Sequence, residues 1–203
     1  MRFKLTKKEK SWILYDVGNS AYTMLACALI PIWFKAMAIG TKPGQLTSNQ
    51  ATAYYSMAIA VITIVVALLG PVCGAISDHK GMKKIFFTTT VAVGVSGCIL
   101  NGFAYQWIAF LLLFAVTKIF YNMSLMFYDS MLNDITTEER MDEVSSYGFA
   151  WGYLGSCIPF LIALVAYVLG PDMAGMIPGR ISMAIGFAVT GLWWLLVTIP
   201  LMK

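Results

Sequence analysis

The chain has 203 residues, of which 59% are hydrophobic and only 12% charged, and its mean hydropathy is +0.75. A water-soluble domain of this length needs far more charge to cover its surface, so the composition excludes one and calls for a polytopic membrane protein. The formal net charge of +4 does not point to a nucleic-acid partner, because the basic residues are distributed as topology signals along the chain.

Six apolar runs are each long enough to cross a hydrocarbon core of roughly 30 Å as a helix. They lie near 12–39, 51–76, 85–105, 107–131, 146–169 and 181–202, and they predict a single six-helix transmembrane bundle over 1–203. A sheet is excluded because the runs are continuous rather than alternating, and an open sheet would leave its edges unsatisfied in lipid. Arg2, Lys4, Lys7, Lys8 and Lys10 precede the first run; Lys80, Lys83 and Lys84 follow the second, Arg140 follows the fourth, and Lys203 follows the sixth. Lys35, Lys42 and Arg180 fall on or near the opposite side. By the positive-inside rule both termini are expected in the cytoplasm. The first run is too long for a signal-peptide core and lacks a small-residue cleavage site, so it reads as a retained helix of a multi-pass integral membrane protein.

The first span opens Trp12-Ile-Leu-Tyr15-Asp16-Val-Gly-Asn19-Ser20-Ala21, and helical spacing puts Asp16, Asn19, Ser20, Thr23 and Cys27 on one face. An ionisable residue inside a span is costly and should face the bundle or a wet cavity. Two roles are open to Asp16: a place on a solute or proton path, or an interfacial tie between helices. Residues 40–50 carry the Gly, Pro and polar side chains of an external turn. The second span ends in Gly74-Ala-Ile-Ser-Asp78-His-Lys-Gly81-Met-Lys83-Lys84, a turn of the form G-x-x-x-D-x-x-G-x-K-K at the membrane edge. There Gly74 and Gly81 permit close approach and a sharp turn, Asp78 can accept hydrogen bonds from a helix N-terminus, and Lys83 and Lys84 can anchor to headgroups. A generic basic turn is the plainer alternative. His79, the single histidine, lacks Cys or His neighbours and reads as a solvated loop residue rather than a metal ligand.

The third and fourth spans nearly meet at Tyr105-Gln106-Trp107, with aromatics at interfacial depth. The fourth carries Lys118, Tyr121, Asn122 and Asp129, and positions 118, 122, 125 and 129 share a face. Lys118 falls near mid-membrane and Asp129 near the cytoplasmic edge; a lysine at that depth either faces a cavity and an anionic group or pairs with an acid. The acidic stretch from Asn133 to Ser146 is expected to hold a short surface helix, capped by Thr136 or Thr137 with Glu138 and Glu139 in its first turn. In the fifth span Gly148, Gly152, Gly155 and Ser156 form a small-residue face for close helix contact, and Pro159 can kink it. Residues 170–180 form the last external turn. Cys27, Cys73, Cys98 and Cys157 all fall inside spans and read as small packing residues rather than as a disulfide framework or metal site.

The Gly74–Lys84 turn resembles the cytoplasmic loop between helices 2 and 3 of the major facilitator superfamily of transporters, with Met82 where that family usually has Arg. Three further stretches match in order: the W-I-L-Y-D-x-x-N-S-A opening, Phe127-Tyr-Asp-Ser-Met-Leu-Asn-Asp134, and Ser145-Ser-Tyr-Gly-Phe-Ala-Trp-Gly-Tyr-Leu-Gly155. Together they are similar to the branch related to the fungal vacuolar amino-acid effluxer of autophagy, with Gly18 where Ala is expected. The resemblance implies that the 74–84 loop latches the two halves of a transporter and biases its inward–outward equilibrium. It also implies export of amino acids or similar solutes, and a chain that supplies only the N-terminal six-helix half. Such a half needs a second six-helix bundle or a second copy as partner, and is expected to be incompetent alone as a monomeric transporter. The prokaryotic plasma membrane is the expected location.

The leading expectation is therefore a secondary transporter working by alternating access. It would need no cofactor: Asp16 offers a route to proton coupling, and no G-x-x-x-x-G-K-[ST] loop is present to supply nucleotide energy. The alternative is a non-transporting scaffold or nutrient sensor that docks through the acidic 133–143 segment. Catalysis is not expected, because no His cluster, metal-binding carboxylate pair or activated Ser or Cys is legible in the sequence.

Overall fold

A computed structural model describes residues 4–79, 81–170 and 174–203. Arg2, Lys80 and part of the 170–180 turn lie outside the described residues. The helices are α1 (Lys7–Ala28), α2 (Ile30–Ala38), α3 (Ser48–Ser77), α4 (Met82–Asn101), α5 (Trp107–Ile135), α6 (Glu138–Val168) and α7 (Gly179–Met202). Helices α3 to α7 are each long and apolar enough to cross a membrane.

The first span departs from the single helix expected over 12–39. Helices α1 and α2 are bent by 41° at a short break and together are long and apolar enough for one crossing. The cause is Pro31 in the first turn of α2: without an N–H it removes a bond to the turn before it, and the helix breaks at Leu29. The opening of α1 is held by a capping box, in which the Glu9 amide donates to the Thr6 hydroxyl at 3.2 Å and the Thr6 amide donates to the Glu9 carboxylate at 2.7 Å. Thr47 and Gln50 open α3 in the same way.

A second departure concerns the acidic stretch. There is no separate surface helix: α6 starts at Glu138 and runs without interruption to Val168. Thr137 holds the cap position without a side-chain cap bond, with Glu138 and Glu139 in the first turn. Thr136 ends α5 instead, and its hydroxyl donates to Glu9 at 2.8 Å. The polar turns ahead of Ser145 are thus an extension of the fifth span on the side of the bundle that carries the start of α1.

In lipid, helices gain nothing from hiding apolar surface, so close packing and hydrogen bonds hold the bundle. Helix α1 lies at its centre, packed mainly on α6 and α7, while α4 packs on α5 and α7. An aromatic core follows α1 and α2 from end to end. Tyr15 meets Phe87 and Tyr128, Tyr22 meets Tyr121 and Trp194, and Trp33 meets Phe187, with centroids 4.5–5.7 Å apart. Helix α3 is the outlier: it packs chiefly on α5 and buries only Ala51, Ile62 and Cys73. Cys73 and Cys98 are buried, whereas Cys27 and Cys157 are exposed on the helix surfaces, so only the first two pack in the core.

Candidate functional site

Helices α5 and α6 both flank α1 but barely touch each other. The gap is a groove of about 500 Å³, lined by Trp12, Asp16, Asn19, Ser20, Thr23 and Met24 of α1. Tyr121, Leu125, Tyr128, Asp129 and Leu132 of α5 form the second wall, and Ser145, Phe149 and Tyr153 of α6 the third. It occupies the half of the bundle nearer the face that carries both termini.

Each wall has a local reason for its position. The Trp12 indole stacks on Tyr128 with centroids 4.3 Å apart, and its Nε1–H donates to the Tyr128 carbonyl at 3.1 Å. The hydroxyls of Tyr15 and Ser124 share a hydrogen bond of 2.7 Å. Deeper in the membrane the Thr23 and Tyr121 hydroxyls are also hydrogen-bonded to each other. These three ties fix α1 against α5 in depth and rotation. Against α6 the contact is made by absent side chains. A Cβ on Gly152 would lie 2.8 Å from Asp16 Oδ2 and 3.1 Å from Ser20 Oγ, one on Gly148 would meet Trp12 at 2.9 Å, and one on Gly155 would run into Val17. The glycine seam brings α6 onto the polar face of α1 and leaves that face half open.

Within the groove Asn19 Nδ2 donates to Asp16 Oδ1 at 3.2 Å. Asn19 is buried, Asp16, Ser20 and Thr23 are half-buried, and Asp129 is exposed. Among the described lining residues Asp16 and Asp129 are the carboxylic acids, and none is basic. The groove therefore presents hydroxyls, an amide and two carboxylates within an apolar bundle, a surface suited to a small polar or cationic group or to a proton.

Lys118 and Asn122 do not line this groove. The Lys118 ammonium lies over the Tyr121 ring at 4.6 Å and the Tyr22 ring at 5.7 Å, a cation–π site in the aromatic core. It is separated from Asp129 by eleven residues of α5, about 16 Å of helix. Asn122 turns back to donate to the Lys118 carbonyl at 2.7 Å. Positions 118, 122, 125 and 129 do share a side of α5, but the groove centres on Tyr121, Leu125 and Tyr128, part of a turn away.

In the 74–84 loop, Asp78 closes α3 with its amide bonded to the Gly74 carbonyl at 3.3 Å, and it is exposed. Gly81 adopts φ +83°, a left-handed conformation that favours glycine, and starts α4. A Cβ on Gly74 would meet nothing within 4 Å. Lys83 ties the loop inward, with Nζ 2.6 Å from the Asp134 carboxylate and 3.0 Å from the Ser130 carbonyl on α5. Lys84 is exposed beside it. His79 is exposed too, with Nδ1 2.9 Å from the Ala75 carbonyl.

The sequence does not reveal the groove's aromatic wall, the Lys83–Asp134 pair just described, or one further ion pair. Tyr128, Phe149 and Tyr153 carry no charge to mark them, although Ser145, Phe149 and Tyr153 recur at a spacing of four beside the glycine seam. The ion pair joins Glu9 to Arg140: Nη2–H donates to Oε2 at 2.9 Å and Nε–H to Oε1 at 3.0 Å. Glu9 is 1% exposed, and its carboxylate holds together the start of α1, the end of α5 through Thr136, and the start of α6. Nothing in the sequence pairs residues 131 apart.

The fold and groove define a class, a six-helix membrane bundle with a polar path along its first, fourth and fifth spans. The model of the family described as "Vacuole effluxer Atg22 like" matches residues 132–203. A protein of Bacillus subtilis (strain 168), described as the uncharacterized MFS-type transporter YxiO, is 39% identical over 208 residues, covering 100% of this chain and 47% of the relative. The chain thus spans about half the length of the curated relative it matches. No solved structure matches. The chain is thus similar along its whole length to an MFS-type transporter, its last third matches the vacuole-effluxer-like family model, and its six apolar crossings correspond to the N-terminal half of an MFS-type fold.

Proposed function

We propose that this bundle is half of a secondary transporter that moves a small polar solute along the α1–α5–α6 groove, alternating against a second six-helix bundle. The observation that carries the reading is the groove itself: Asp16, Asn19, Ser20, Thr23 and Asp129 gather on one path in a chain that is otherwise apolar. The match to an MFS-type transporter supports the same class of activity. Solutes with a cationic group, amino acids foremost, suit a groove whose lining charges are two carboxylates. Export agrees with the effluxer description of the matching family. Asp16 is the candidate proton carrier, because it sits deepest of the two and is shielded by Gly152 of α6.

The test is flux of a labelled amino-acid mixture in proteoliposomes, with and without a pH gradient. It uses the chain alone and the chain co-expressed with a matching second half. The expected result is gradient-dependent flux with both halves. Flux by the chain alone would point to a homodimeric arrangement. Solute binding without flux, with both halves folded, would overturn the transporter reading in favour of a sensor.

A further inference from the structure

The terminal face carries a second recess, about 620 Å³ in volume, where the ends of α1, α4, α5 and α7 converge. It is separate from the groove and shares no lining residue with it. Its rim holds Lys7 and Lys8 of α1, Lys83 and Lys84 of α4, and Lys203 after α7. The acid among the described lining residues is Asp134, and it is already paired with Lys83 at 2.6 Å. Lys7, Lys8, Lys84 and Lys203 are exposed at the rim, so four lysine ammonium groups line one opening whose acidic side chain, Asp134, is engaged with Lys83.

The lining is not uniformly polar. Met131, Ile135, Pro200 and Leu201 form an apolar wall under the lysines. Within the adjoining turn of the same helices, Ile85 of α4 is 61% exposed, and Leu196 and Ile199 of α7 are 62% and 37% exposed, so apolar side chains neighbour the lysines in sequence. Cations above and hydrocarbon below match a molecule with an anionic head and acyl chains. A soluble anion would use the lysines and leave the apolar wall wet. The positive-inside rule puts this face in the cytoplasm, and anionic lipids in the facing leaflet attract basic residues at headgroup depth.

We propose that this recess is a binding site for an anionic phospholipid, with its headgroup phosphate held by Lys7, Lys8, Lys84 and Lys203. The site joins the ends of the first, third, fourth and sixth spans, so a bound lipid bridges four helices at the membrane edge.

The test is native mass spectrometry of the full-length protein, purified in neutral detergent and offered phosphatidylglycerol or phosphatidylcholine. Phosphatidylglycerol is expected to be retained and phosphatidylcholine not. Each Lys→Gln change at 7, 8, 84 and 203 should weaken retention by roughly fivefold. The fourfold Lys→Arg variant should retain it, which separates lost charge from lost folding. Lys35→Gln with Lys42→Gln, on the opposite side, should change nothing. Equal retention of both lipids, full retention in the fourfold Gln variant, or complete displacement by millimolar inorganic phosphate would overturn the proposal. The last result would assign the recess to a soluble anion.

Discussion

The two sides of α1 are built on opposite principles. Toward α4 and α7 it is sealed by rings, with Tyr15, Tyr22 and Trp194 all fully buried. Toward α5 and α6 it presents Asp16, Asn19, Ser20 and Thr23 to an open groove, and the approach of α6 is set by missing side chains. One helix is thus both the keystone of the bundle and a wall of its groove. Stability is concentrated on the side with aromatic volume, which leaves the other side free to keep unmatched polar groups. Two polar atoms on the sealed side, the Tyr22 hydroxyl and the Trp194 Nε1–H, are themselves buried without a partner, while Trp193 Nε1–H donates to the Val17 carbonyl at 3.3 Å and ties α7 to α1.

If that division holds, the largest effect comes from emptying the sealed side. Trp194→Ala should cost about 3 kcal/mol or more through the cavity it leaves. The loss is read as earlier exposure of the buried Cys98 thiol to a maleimide dye on heating, with Cys27, Cys73 and Cys157 replaced by Ser. Gly152→Val strikes the seam between the sides: its side chain meets Asp16 and Ser20, and the overpacking should cost about 2 kcal/mol and reduce flux as well. Asp16→Asn should sharpen the contrast, lowering flux in the two-half transporter at least about tenfold while shifting the thermal midpoint little, since it weakens a single bond to Asn19. Tyr15→Phe should do the reverse on the smallest scale, losing about 1 kcal/mol with its bond to Ser124 and leaving flux intact. A tenfold flux loss in Tyr15→Phe with none in Asp16→Asn would break the comparison.

The sequence made the spans legible because hydropathy reports length, and length decides whether a helix crosses a bilayer. It placed Asp16, Asn19, Ser20 and Thr23 on one face because they sit on one helix with a fixed period. Lys118 marks where that logic stops. Its depth follows from counting residues, but its direction depends on how far α5 is rotated against α1, and the Trp12–Tyr128 and Tyr15–Ser124 contacts set that rotation. The break at Pro31 was visible as a residue but not as a bend, because a proline within a span can kink it or be absorbed by its neighbours. The Glu9–Arg140 and Lys83–Asp134 pairs join partners 131 and 51 residues apart, and only the folded chain brings them together.

The isolation of α3 bears on how the bundle is made. Almost wholly apolar along its length and little buried against the other helices, it suits the bilayer before it docks on any of them. Its insertion and its docking are therefore separable events during synthesis. Changes on its outward residues, such as Val61, Ile64 and Leu68, leave the packing inside this bundle untouched and report instead on what surrounds it, lipid or a second bundle.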